Sequence, residues 1–287
     1  MTARPDNTSV VDRDDAPPRL CQGIDVMGEY EGSGYKEPHF MARREDGQVI
    51  QLTELLFYVA DNADGRQSYD EIAERVSESY GKKVSADNVR YLVQEKLRPL
   101  GVVAGADGST PEVEKRDPLL ALRFKFSLVP QRFTGPVTTL FNPLFLPPVI
   151  LTALVAFVAM DVWLWTQHGV GQSLRDALYQ PLTLLLILGM VILSAGFHEL
   201  GHATACAYGG ARPGRIGAGL YLVWPAFYTD VTDAYRLNKA GRLRTDLGGV
   251  YFNVLFSLAT AGLYFLTGYE PLLLLVPIQH IEIVHQL

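Results

Sequence analysis

The run PLTLLLILGMVILSAGFHELGHATACAY, residues 181–208, leaves a chain few ways to fold. From Pro181 to Phe197 it contains no ionisable side chain. About 20 apolar residues are enough to cross the hydrocarbon core of a bilayer as a helix. A helix is required there because a backbone in lipid must satisfy its own hydrogen bonds. The next five residues, His198 to His202, place two imidazoles and a carboxylate in that apolar setting. Ionisable groups within a spanning helix are costly, on the order of 2.5–3.5 kcal/mol for strongly charged types, and they mark function.

The rest of the chain divides in the same way. Its formal net charge is -6, from 25 Lys and Arg against 31 Asp and Glu, but these charges crowd into the N-terminal part. Further apolar stretches cover residues 144–165, interrupted by Asp161, then Leu247–Gly268 and Pro271–Leu287. The expected fold is therefore an α-helical polytopic membrane protein of about four spans, preceded by a small α+β winged-helix-like domain. Arg116, Arg123, Lys125 and Arg132 precede the first span. Arg212, Arg215, Arg236, Lys239, Arg242 and Arg244 fill the connection between the second and third. The positive-inside rule puts both on the cytoplasmic side, with the N-terminal domain. The connection around Tyr269 and Glu270 has no basic residue, which suits the opposite side. Cys21 and Cys206 cannot make a disulfide framework or a four-cysteine metal site. Residues 1–34 read as a disordered leader without the apolar core of a signal peptide.

The soluble part, residues 35–105, has clear punctuation. Asp46-Gly47 between two strand-like runs predicts a tight hairpin. Thr53 starts a helix carrying Leu55, Leu56 and Val59. Ser68 and Glu71 have capping-box spacing before Ile72, Val76 and Tyr80. A third helix from Ser85 aligns Val89, Leu92, Val93 and Leu97, and LGVV follows as a short strand. This order, with the phrase SYDEIAERVSESYG, resembles the PqqD-like peptide-binding domains of ribosomal-peptide maturation systems. The resemblance implies a winged helix whose edge strand pairs with a precursor peptide. A DNA-binding winged helix and a scaffold without a ligand are the competing readings. The acidic balance argues against nucleic acid, because phosphate binding needs a basic face. Residues 106–140 read as linker and juxtamembrane segment, and residues 141–287 as the membrane domain.

His198 and His202 are four apart, so on a helix of 3.6 residues per turn they project from one face and can offer nitrogens to one ion. Zinc suits such donors and tolerates an open coordination position. Glu199, beside them, is placed to act as a general base toward an attacking water. The small residues Ser194, Ala195, Gly196, Gly201, Ala203 and Ala205 leave room for close helix contacts.

FHELGHA, together with GAGLYLVWPAFYTDVTDAYRL, DLGGVYFNVLFSL and QHIEIVHQL, resembles the site-2 protease family of intramembrane zinc metalloproteases. The PqqD-like domain in front points to the family's bacterial peptide zinc metalloprotease branch. The resemblance implies a multi-pass protein of the bacterial inner membrane that hydrolyses a membrane-associated or ribosomally made peptide. It also implies a membrane-inserted segment after HExxH and peptide maturation or export partners. The family's Gly-x-x-x-Asn pattern is matched by Gly249 and Asn253, with Val250 where many members carry proline. Asn253 is thereby expected to orient substrate or stabilise negative charge, or else to bond across helices.

Catalytic zinc takes three protein ligands, and the family draws the third from a Leu-Asp-Gly motif that these 287 residues lack. The membrane domain accordingly reads as C-terminally incomplete, and this form as inactive. Asp230 and Asp233 are the candidate third ligands within the chain, followed by His280, Glu282 and His285. Cys206 lies eight residues from His198, about 12 Å of helix rise and too far to share an ion. A non-proteolytic membrane component that recruits a peptide is the alternative function.

Overall fold

The computed structural model describes residues 16–32, 38–105, 107–111, 123–221 and 224–286. They form two compact units, dividing at Asp117 and Pro118.

The first unit holds an antiparallel sheet of β1 (Asp25–Glu29), β2 (His39–Arg43) and β3 (Val49–Thr53), in that order. The expected β2–β3 turn forms at Gly47, whose φ of 85° is one that glycine adopts without strain. The Arg44 and Gln48 backbones close it, at 2.9 Å. Helices α1 (Glu54–Asp61), α2 (Tyr69–Tyr80) and α3 (Ala86–Leu92) follow, α3 running on through a π turn, Val93–Leu97. Ser68 and Glu71 make a complete capping box on α2, whereas Thr53 precedes α1 without a side-chain cap. Leu52, Val59, Ile72, Val76, Val89, Val93 and Leu97 are closed from solvent in one core. Burying such side chains stabilises a domain by about 1.5–3 kcal/mol each.

The leader expected over residues 1–34 is corrected for its described part. Leu20 and Cys21 bond the backbones of Ala63 and Val102, and β1 joins the sheet. Sequence periodicity missed β1 because Gly28 introduces a bulge that breaks the alternation. LGVV contributes only a bridge from Val103 to Leu20.

The second unit starts with β4 (Arg123–Val129) and α4 (Gln131–Phe141). These residues, read as linker, belong to the membrane unit: β4 pairs with β5 (Ile216–Tyr221), and the Thr134 hydroxyl donates to the Gly214 carbonyl at 2.8 Å. The segment read as membrane-inserted is a hairpin of β5 and β6 (Trp224–Thr229), giving a second sheet in the order β4-β5-β6.

Helices α5 (Pro147–Trp163), α6 (Gly171–Tyr179), α7 (Pro181–Tyr208), α8 (Lys239–Thr267) and α9 (Leu275–Gln286) complete the unit. Among the described residues three helical stretches are long and apolar enough to cross a membrane: Pro147–His168, Pro181–Tyr208 and Lys239–Thr267. Their outer faces expose Leu151, Leu182, Leu185, Leu188 and Leu266, as lipid contact requires. In the most apolar window of α8, 50% of residues are buried, against 17% and 22% for the other two, so α8 is the central helix. The fourth apolar stretch is not one of these three. It begins as a 3-10 turn, Glu270–Leu274, and continues as the 12 residues of α9.

Candidate metal centre

The site is built where α7 and α8 cross at glycine-to-glycine contact. A Cβ on Gly248 would lie 2.6 Å from the Gly201 carbonyl oxygen, and one on Gly201 would overlap the Gly248 carbonyl. Small residues at such a crossing let backbones approach and bring polar groups of one helix onto the next. Phe252, wholly buried, stacks against Phe145 and Phe197 beside the crossing and seals that flank with apolar rings.

Ser194, His198 and His202 form a four-residue stripe along α7. Thr245, Gly249 and Asn253 form the matching stripe on α8. His202 Nδ1 lies 2.8 Å from the Thr245 carbonyl oxygen, which can only accept, so this nitrogen carries a proton. His198 Nδ1 lies 3.3 Å from Asn253 Oδ1. With both Nδ1 atoms donating to α8, both Nε2 atoms carry lone pairs, and they face each other at 3.0 Å. Two facing lone pairs repel unless a proton or a cation joins them. Two nitrogens on one tetrahedral zinc, at about 2.0–2.1 Å each, stand about 3.3 Å apart. Anchored Nδ1 atoms and convergent Nε2 atoms are what a metal-binding histidine pair requires.

Gly249 sits directly under the pair, where a Cβ would overlap His202 Nε2 and the His198 ring. The glycine of the Gly-x-x-x-Asn pattern therefore makes room for the imidazoles rather than only for the helix contact. Asn253 is wholly buried, and its Nδ2 has no hydrogen-bond partner among the described residues. Its carbonyl end faces His198 Nδ1, the bond across helices that the sequence offered as the alternative to a substrate contact. Glu199 is half-buried beside the histidines. Its backbone carbonyl accepts from the Thr229 hydroxyl at 2.9 Å, which ties the end of β6 to this turn of α7.

The candidate third ligands are engaged elsewhere. Asp233 accepts from the Arg212 backbone N–H and from Arg236 Nε, both at 2.8 Å. Asp230 accepts from the Thr232 backbone N–H at 3.1 Å, and its carboxylate packs on Gly214. His280 pairs with Asp161. Among the described residues no group of three His, Cys, Asp or Glu side chains converges as metal ligands. Cys206 is buried with Ala211 and Ala234 in a separate cluster.

Sequence reasoning did not find Thr245, Gly248 or Gln279. A backbone carbonyl such as that of Thr245 leaves no side-chain signal, although Thr245, Gly249 and Asn253 do repeat every four residues. Comparison with known proteins adds nothing to this geometry: no family model, curated protein or solved structure matches the chain.

Proposed function

We propose that this protein is a zinc-dependent intramembrane endopeptidase of the site-2 protease type, acting on a membrane-associated or ribosomally made peptide. The observation that carries the reading is the pair of Nε2 atoms 3.0 Å apart, each imidazole anchored through Nδ1 to α8. His198 and His202 would hold zinc. Bound there, the ion would act as a Lewis acid toward water and the peptide carbonyl. Glu199, the half-buried carboxylate next to His198, accepts the proton of the attacking water and returns it to the leaving amide nitrogen. Asn253 and the Thr245 carbonyl keep both rings in the tautomer with free Nε2 atoms.

The front unit suits delivery of an extended peptide, because β1 and β3 are the outer strands of its sheet among the described residues and an edge strand can accept another. By the positive-inside rule this unit lies in the cytoplasm of a bacterial cell, with the apolar helices in the inner membrane. One observation favours the non-proteolytic recruitment reading instead: no third ligand joins the histidines among the described residues.

Zinc content and cleavage of a membrane-anchored reporter, measured on one preparation, separate the two. Glu199→Gln is expected to keep zinc and lose cleavage by at least about 100-fold, as removal of a general base does. His198→Ala is expected to lose both. Parental cleavage by Glu199→Gln would sink the protease reading; zinc binding without cleavage in the parent would favour recruitment.

A further inference from the structure

Ser194 lies one helical turn before His198 on the same face of α7, and it is the only polar side chain between Thr183 and His198. Apolar contacts in this stretch are non-directional, and several of its side chains, Leu184, Leu185 and Leu188 among them, are exposed. Such contacts specify the facing of the Thr183–Phe197 stretch less sharply than a hydrogen bond does. The Ser194 hydroxyl supplies a directional contact there: Oγ donates to Gln279 Oε1 at 2.7 Å, and both residues are wholly buried. Gln279 belongs to α9, and its neighbour grips a different helix. His280 Nε2 meets Asp161 Oδ2 on α5 at 2.9 Å, its Nδ1 donates to the Val276 carbonyl at 2.8 Å, and its ring stacks on Phe157. Successive helical residues point about 100° apart, so Gln279 and His280 hold α7 and α5 at once.

We infer that Gln279 is a positioning residue for the histidine pair, setting through Ser194 the direction in which His198 and His202 project. The inference rests on the zinc reading above. The full chain, purified in detergent, is tested with zinc alone, affinity being read per folded molecule by competition with a chromophoric chelator alongside thermal unfolding. Supports of metal ligands outside the coordination sphere typically contribute 10–100-fold to affinity. A support one turn removed is expected to contribute about 5–10-fold. Ser194→Ala and Gln279→Leu should each weaken zinc binding by that factor, and the double variant should be no weaker than either single one. Ser194→Thr, which keeps the hydroxyl, should restore affinity. Variants that melt earlier yet bind zinc as the parent does would reduce the contact to packing and overturn the inference alone. A parent whose zinc binding is absent, or unchanged by His198→Ala, would overturn the zinc reading and this inference with it.

Discussion

The second unit, with its three long apolar helices, holds two histidine arrangements that differ in one respect. At the α7–α8 crossing, His198 and His202 donate through Nδ1 to α8 and turn two lone-pair nitrogens toward each other. On α9, His280 also donates through Nδ1, to the Val276 carbonyl, but its Nε2 meets the Asp161 carboxylate. The second arrangement satisfies itself, because carboxylate and imidazole share one proton and the pair is neutral. The first leaves like ends of two dipoles in contact, an arrangement that a proton or a cation joining them would relieve. Ionisable side chains among membrane helices are therefore not equivalent signs of a site. What the second ring nitrogen faces decides between a staple and a ligand.

The largest effect is expected from closing the space that keeps the first arrangement open. Gly249→Ala puts a methyl group into both imidazoles, and the rings must turn off their Nδ1 acceptors. Zinc affinity should fall by at least about 100-fold, the upper range for lost ligand support. The crossing itself should survive, because Gly201 and Gly248 carry the backbone contact. Calorimetric zinc titration with circular dichroism on the same sample checks both halves. Retained affinity would mean that the pair is not held as described.

Opening the closed arrangement should cost stability instead. Asp161→Ala leaves His280 Nε2 without its partner, and for a half-buried polar group the cost should fall at or below the low end of the about 1–3 kcal/mol that stranding a buried one costs. Asp161→Asn, whose amide can donate to Nε2, should recover most of it. Thermal unfolding in one detergent gives the ranking. An Asn variant as unstable as the Ala variant would show that the pair is held by charge rather than by the hydrogen bond.

The smallest effect lies in the front unit and serves as the reference for a side chain with no part in the site. Glu71 accepts from the Ser68 backbone N–H at 2.8 Å, and that bond, followed by the one from the Ser68 hydroxyl, holds its carboxyl below the usual range. A carboxylate with a lowered folded pKa adds stability above its unfolded pKa, which is lost as pH falls through the folded value. Glu71→Gln should therefore melt slightly earlier than the parent near neutral pH and together with it in acid. Zinc binding should not change at any pH. A gap in melting temperature that persists into acid would assign the effect to packing of α2.

Where a feature was legible in the sequence, the signal was local. Residues 181–208 form one helix because an apolar run of that length admits little else in lipid, and α7 keeps those bounds. His198 and His202 share a face because four residues nearly complete a turn. Ser68 and Glu71 close a capping box because their separation is that of the motif. In the fourth apolar stretch composition alone did not separate the opening 3-10 turn from the helix that follows it. Its His280 and Gln279 proved to face α5 and α7.

The sequence by itself determined that the chain holds an α+β unit and a set of apolar helices, and that two imidazoles with a carboxylate lie on one of them. Periodicity and hydropathy act over a turn or a strand, so neighbours along the chain suffice to read them. Only the tertiary structure decided which ring nitrogens are free, because the acceptors that fix them, Thr245 and Asn253, lie 43 and 55 residues away. It alone joined β4 to β5 and paired Asp161 with His280 across 119 residues. Such contacts follow from how closely two backbones can approach. Here Gly201 meeting Gly248 set that distance, a steric fact that neither residue carries in its own stretch of sequence.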